Sequence, residues 1–382
     1  MTFSRLTRAS TPGPTPDPDA PEPHRISPQL RTTLDIVRIV AAVYVVIHHV
    51  TARMDTGALA PLFSFGQEAV MAFFLLSGFV IHANERARLA GPAPDRSGYA
   101  LRRGLRIYPT LLCAMALSVA VAAVQGDLAQ RFDPREGLCT LLALQDAGAL
   151  KPGTLCRPFM GNTPLWSLSY EILFYLIYPL VLPLFLRRPR LTQNVLGLVT
   201  LALIGLYVAT ASTLALPAHV ARLGSYFLIW WCGAMMAERC LSPAARDTTV
   251  LLPLAWLVAA TVLWGVVAAR AGALGEIGVY PMLMVRHFGV AALFVLLALS
   301  PAGAWVTARL GRGGRALWAW LSGISYGIYV FHFPLLIQYD LAGSAAGFAL
   351  SCGLVVLAAE IGDRRLSRAL RPTRSRPQRP RP

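Results

Sequence analysis

The chain has 382 residues, 55% of them hydrophobic and only 14% charged, with a formal net charge of +16. A soluble domain carries about 25% charged residues, so this composition excludes an ordinary soluble protein and indicates a polytopic membrane protein. The charge does not point to nucleic acid: every basic residue but Lys151 is an arginine, and most sit in short segments between apolar runs, which is the pattern of membrane topology and anionic lipid headgroups.

The first thirty residues are polar and rich in proline (Pro12, Pro14, Pro16, Pro18, Pro21, Pro23, Pro28) and show no cleavable signal peptide. Residues 1–31 are therefore expected to be a disordered cytoplasmic tail. Ten apolar stretches follow, at roughly 34–53, 63–83, 104–125, 164–186, 194–215, 222–238, 249–269, 280–299, 318–337 and 342–361, each near the ~20 residues needed to span a bilayer. The expected fold is all-α, a polytopic membrane bundle of about ten transmembrane helices in one domain, 32–362. A basic, disordered tail is expected over 363–382. An even number of spans puts both termini on one side, and the arginine bias assigns that side to the cytoplasm, as in a multi-pass protein of the cell membrane.

The first span, LDIVRIVAAVYVVIHHV, carries Asp35, Arg38, His48 and His49 inside an otherwise apolar helix. Ionisable groups there cost several kcal/mol and mark a functional hypothesis. At about 100° per residue, Asp35, Arg38 and His49 fall within roughly 60° of one another, while His48 lies about 100° from His49. Arg38 and His49 are about 16 Å apart along the axis, too far to be partners, so the stripe suits a long ligand lying between them. A neutral imidazole takes a proton from a hydroxyl near neutral pH, which makes His49 the candidate general base.

In the second span, AFFLLSGFVI holds Ser77-Gly78, read first as close helix packing and second as a hydroxyl on a cavity. LRRGLRIYP opens the third span with Arg103 and Arg106 on one face; the pair is either topogenic or a site for a phosphate-bearing ligand. The loop 126–163 contains Cys139 and Cys156, either a disulfide or two unrelated thiols, while no Cys/His spacing suggests a metal site. PLWSLSYEILFYLIYP crowds Trp166, Ser167, Ser169, Tyr170 and Glu171 at the start of the fourth span. An aromatic belt accounts for the rings but not for Glu171, which needs a cationic or hydrogen-bonding partner, with His49 as one candidate. In GISYGIYVFHFPLL, His332 precedes Pro334, where it either steadies a kink or joins a site; Arg286-His287 are further intramembrane polar groups.

Taken together, LDIVRIVAAVYVVIHH, FFLLSGFVI, LRRGLRIYP, WSLSYEILFYLIYP and SYGIYVFHFPL resemble, in order, the signatures of the acyltransferase-3 family of integral membrane acyltransferases. The resemblance spans about residues 34–361. It implies a ten-helix bundle that takes an acyl group, most often acetyl, from cytoplasmic acyl-CoA and passes it to a hydroxyl on a glycan, a lipid-linked sugar or a small molecule. Acyl-CoA is then a co-substrate, with no permanently bound cofactor and no metal. In the resemblance His49 matches the family's essential histidine, Arg38 its paired arginine, Arg103 and Arg106 an arginine pair on the CoA side, and Glu171 the acidic residue of the Trp-Ser-Leu signature. Catalysis is thus expected of His49 and Glu171 and substrate contacts of Arg38, Arg103 and Arg106, to which the reading of the residues themselves adds Asp35, Ser77, Trp166, Tyr170 and His332. Two departures stand out: Ile36 and Ile39 replace glycines frequent in the family, and Ile172 stands where a second polar residue often follows Glu171. With about twenty residues after the tenth span, a stand-alone transferase is expected. The competing expectation is a glycolipid or polysaccharide transporter without acyl transfer, which should show paired repeats; no internal duplication is visible.

Overall fold

The computed structural model describes residues 26–90, 93–242, 248–339 and 344–370. Ten long helices are found among them: α1 Pro28–Thr51, α2 Gly66–Ala90, α3 Arg96–Gln125, α4 Trp166–Arg187, α5 Pro189–Thr210, α6 Ala215–Leu241, α7 Thr248–Arg270, α8 Met282–Leu299, α9 Arg315–Gln338 and α10 Ala345–Ala369. Helices α2 to α10 are long and apolar enough to cross a membrane, and the 24-residue α1 packs on α2 and α9. The only β pairing among the described residues is an isolated bridge, Gln145 to Cys156. The fold is the all-α, multi-pass bundle expected from the apolar runs.

Local chemistry sets the helix ends. Ser27 Oγ accepts from the Leu30 amide with Pro28 in the first turn, so α1 starts at Pro28, inside the segment expected to be tail. Asp95 and Ser344 cap α3 and α10 in the same way. Gly126 closes α3 at φ +77°, a conformation that favours glycine. The rest of the N-terminal tail, residues 1–25, and residues 371–382 of the C-terminal one lie outside the described residues.

Cross-helix contacts show that the chain runs back and forth between two ends. At the near face, where α1 begins, the end of α2 meets the end of α6 through Arg86 and Glu238, and the start of α3 meets the end of α10 through Arg106 and Asp363. At the far face, Tyr207 donates to Pro152 O (3.0 Å), Tyr280 N to Leu150 O (3.2 Å), and Gln125 to Gln338 O (2.7 Å). The far face is covered by residues 126–163, with short helices Leu128–Arg131 and Pro134–Leu141. Cys139 and Cys156 are disulfide-bonded there, Cα to Cα 6.2 Å.

Two glycines bring α2 and α6 into backbone contact. A Cβ on Gly78 would strike Trp230 O, and one on Gly233 would strike Leu75 O. Small residues at such a crossing are how membrane helices approach closely without a hydrophobic drive. Proline poses a different problem. It removes the N–H that would bind the carbonyl four residues earlier, and hydrocarbon offers no water in its place. Three of these freed carbonyls are recovered by side chains from elsewhere. Tyr99 donates to Tyr175 O, opposite Pro179 (3.1 Å). Gln193 donates to Thr249 O, opposite Pro253 (3.0 Å), and Asn162 to Val330 O, opposite Pro334 (3.1 Å). The last contact ties the far-face loop to α9, which continues through a π-helical turn, Phe333–Gln338.

Tyr99→Phe should therefore destabilise the detergent-solubilised protein by about 1–3 kcal/mol, the cost of a buried unsatisfied carbonyl. The same change in a Pro179→Ala background should cost much less, because the substituted alanine supplies the missing helical donor. Thermal unfolding of the four proteins measures this; equal effects in both backgrounds would contradict the carbonyl argument.

Candidate active site

A cavity of about 240 Å³ opens between α1, α2, α3, α4 and α9. Its lining gathers Arg38 from α1, Ser77 from α2, Arg103 and Arg106 from α3, Glu171 and Tyr175 from α4, and Tyr326 and Tyr329 from α9. Five residues singled out from the sequence thus converge on one space, although they come from four helices.

Each arginine is held differently. Arg103 lies over the rings of Tyr99 and Tyr175 (6.0 and 5.8 Å to the centroids) and reaches Glu85 Oε1 at 3.4 Å. Glu85 is buried and is shared with Arg102 (2.7 Å) and Arg88 (3.3 Å). Arg106 is ion-paired with the buried Asp363 and lies 5.3 Å over the ring of Tyr326. Asp363 also accepts from the Gly327 amide at 3.0 Å. Helix α10 runs on to Ala369, past residue 363, where the tail was expected to begin. Arg38 donates to Ser322 Oγ at 3.3 Å and makes no ion pair among the described residues. Asp35, one turn earlier, makes none either.

Glu171 accepts from Ser77 Oγ (2.9 Å) and from the Tyr175 hydroxyl one helical turn on. Trp230 Nε1 donates to the same Ser77 oxygen at 3.2 Å, a contact made possible by the α2–α6 crossing at Gly78. The candidate pairing of Glu171 with His49 is not formed: its partners are the hydroxyls beside it on the cavity wall.

His49 stands near the far end of α1, beyond the cavity lining. Its ring is 5.4 Å from that of His332, 5.2 Å from Phe333 and 5.0 Å from His48. His48 faces away, its Nδ1 2.6 Å from Phe63 O and its ring backed by Gly66. Between His49 and the cavity stand His332 and Tyr329 (ring centroids 6.3 Å apart), with Phe73 packed on Tyr329 at 5.7 Å. Tyr329 is fixed by Pro164 O (2.8 Å) and Ser167 (3.0 Å).

Trp166 and Tyr170 do not line the cavity. Both are buried in a charged network under the far-face loop. Asp146 pairs with Lys151 (3.1 Å) and Arg222 (2.9 Å) and accepts from the Tyr170 hydroxyl (2.6 Å), while Lys151 Nζ lies 3.6 Å above the Trp166 ring. Burial alone would raise the Asp146 carboxyl, but Lys151 and Arg222 overcome it and hold it well below the usual carboxylate range. Burial lowers the Lys151 ammonium to about 8 despite the carboxylate beside it. Arg286 and His287 sit in the same far-face region, against Glu68 (2.7 Å) and the Tyr226 hydroxyl (2.6 Å).

Sequence reasoning missed this network, together with Glu85, Asp363 and Tyr326. Lys151, the one lysine of an arginine-rich chain, was its only local signal. Breaking a buried pair from one side leaves an uncompensated charge. Asp146→Asn should accordingly cost about 3–5 kcal/mol of stability, whereas Asp35→Asn, which breaks no ion pair, should cost under about 1 kcal/mol. Thermal unfolding in detergent compares the two; similar midpoints would contradict the structural role given to Asp146.

Comparison with known proteins places the acyltransferase domain family on residues 31–359. The chain is also similar to acyltransferase MdmB of Streptomyces mycarofaciens, with 35% identity over 127 residues. That match takes in 32% of this chain and 30% of the relative's length. No solved structure matches the chain.

Proposed function

The chain belongs to the acyltransferase-3 family of integral membrane acyltransferases, and on that premise we propose that it is an O-acyltransferase of the cell membrane. The acyl group, acetyl in the first instance, comes from cytoplasmic acyl-CoA. It goes to a hydroxyl on a glycan, a lipid-linked sugar or a small molecule. On this reading the near face is cytoplasmic, in keeping with the arginines concentrated at that end.

The observation that carries the proposal is Arg38, a guanidinium on the cavity wall that makes no ion pair among the described residues, beside Arg103 and Arg106. A charge left unpaired inside a membrane bundle is expensive unless a ligand completes it. Guanidinium groups bind phosphates with paired, directional hydrogen bonds, as the anionic arm of acyl-CoA requires. The cavity accommodates a narrow thioester arm rather than a whole nucleotide, so the nucleotide would rest at the near mouth against Arg103 and Arg106. Glu171, Ser77 and Tyr175 would form the wall beside the arm, their hydroxyls held by the carboxylate.

The reaction would take place at the far end. His49 takes the proton from the acceptor hydroxyl, the oxygen attacks the thioester carbonyl, and the carbon–sulfur bond breaks. His49 then returns the proton to the departing thiolate, so acylated acceptor and free CoA leave with no net proton change. The thioester reaches His49 only by passing Phe73 and Tyr329, so productive binding must part these two rings.

Native membrane vesicles supplied with labelled acetyl-CoA test the reading, with endogenous acceptor in place. Wild type should form labelled ester, and His49→Ala should lose about 100-fold or more in kcat. Arg38→Ala should raise the KM for acetyl-CoA about tenfold or more, the worth of one charged hydrogen bond. Full activity in His49→Ala would overturn the mechanism, and a transporter would form no labelled ester at all.

A further inference from the structure

His332 is completely buried, yet one of its ring nitrogens has no partner. Its Nδ1 lies 3.1 Å from Ile328 O in the preceding turn, and a carbonyl can only accept, so Nδ1 carries the proton. Nε2 is therefore a bare lone pair, and it makes no hydrogen bond among the described residues. A buried acceptor without a donor costs about 1–3 kcal/mol. The nearest imidazole lacks a partner as well: His49 makes no hydrogen bond among the described residues, and its ring centroid is 5.4 Å from that of His332, with 30° between the planes.

Resting on the reading of His49 as the base, we propose that His332 is a positioning residue. Its Nε2 accepts the N–H of His49 and so leaves the other nitrogen of His49 unprotonated for the acceptor hydroxyl. An N–H···N bond between two imidazoles sets their centroids about 5 Å apart, and such contacts tighten when substrate binds. His48 offers a competing lone pair, but its ring stands edge-on to His49 at 64° and its Nδ1 is committed to Phe63 O. The proton balance is complete without a further group. The hydroxyl proton moves to His49 and then to the thiolate, while His332 keeps its own proton on Nδ1 and stabilises the imidazolium between the two transfers. A neutral base would thus orient a neutral base, a role that an ionised carboxylate plays at higher desolvation cost.

The geometry also accounts for the turn that follows. Pro334 frees Val330 O, Asn162 takes it, and the backbone passes into the π-helical turn directly after His332. The imidazole is thereby fixed on a rigid element at the end of the cavity, next to Tyr329.

The test uses the full-length protein in native membrane vesicles, with labelled acetyl-CoA as probe. His332→Phe, which removes both nitrogens, should lower kcat about 10- to 100-fold, as losing an outer partner of a functional imidazole does. The KM for acetyl-CoA should stay within about twofold, since no ground-state contact is lost. His332→Gln, whose amide oxygen can replace Nε2 as acceptor, should recover most of the loss. If His332→Phe does not accumulate as folded protein, His332→Leu serves in its place. Wild-type kcat in the apolar variant would overturn the proposal, as would a Gln variant no better than the apolar one. Loss in His48→Phe without loss in His332→Phe would also overturn it, by moving the role to His48. His49→Ala is measured alongside: if it is fully active, the base assignment has failed, whereas an inactive His49→Ala with a fully active His332→Phe refutes the positioning role alone.

Discussion

Hydrocarbon leaves a buried polar group no partner except the protein itself, and most of this structure follows from that constraint. Carbonyls freed by Pro179, Pro253 and Pro334 are each taken by a side chain from another element. The charged side chains obey the same rule at both ends of the bundle. His82 and Arg86 meet Glu238, Arg106 meets Asp363, Arg286 meets Glu68, and Asp146 joins Lys151 to Arg222. Several polar groups among the described residues escape the rule, His219 Nε2, His287 Nε2 and the indoles of Trp231 and Trp264 among them. Three others, Arg38 without an ion pair, His49 without a hydrogen bond and His332 Nε2 without a partner, follow one another from the cavity to the far end of α1.

The paired groups fix where the unpaired ones stand. Asp363 locks α10 to α3 and to the Gly327 amide of α9, so the wall carrying Arg106 and Tyr326 is set by a contact spanning most of the chain. The glycine contacts between α2 and α6 bring Trp230 to Ser77, and Ser77 to Glu171. Under the far-face loop, the Asp146 network and the Cys139–Cys156 disulfide hold Asn162 and Pro164 in place, and these in turn hold α9 beside His332. Such buried ion pairs add little net stability, because desolvation offsets their attraction, but losing one partner is costly. Their value here is positional.

Much of this was legible in the sequence. The apolar runs locate all ten helices, with ends displaced by up to eight residues, since bilayer thickness fixes span length independently of tertiary detail but polar helix ends extend beyond the apolar run. The wheel placed Arg38 and His49 on a common face, and both do face α9, through Ser322 and His332. Arg103, Arg106, Ser77 and Glu171 were found as local motifs and do meet around one cavity. Partnerships were not legible. Glu171 bonds hydroxyls rather than His49 because helix rotation, which no single motif encodes, turns it toward α2. Asp363 looked like the start of a basic tail because its partner is 257 positions away in sequence. Trp166 and Tyr170 read as interface aromatics but support Lys151 and Asp146, residues whose burial depends on the fold of a loop without apolar periodicity.

On the proposed reading this cavity receives the acyl donor from the near face, with phosphates on the arginines and the acyl end toward His49. A cryo-EM structure of the protein with a non-hydrolysable thioether analogue of acetyl-CoA tests it most directly. Nucleotide density is expected beside Arg103 and Arg106, with an arm passing Arg38 and Glu171 and an acyl end next to His49 with Phe73 and Tyr329 parted. Density for the analogue outside this cavity, or entering from the far face, would contradict it.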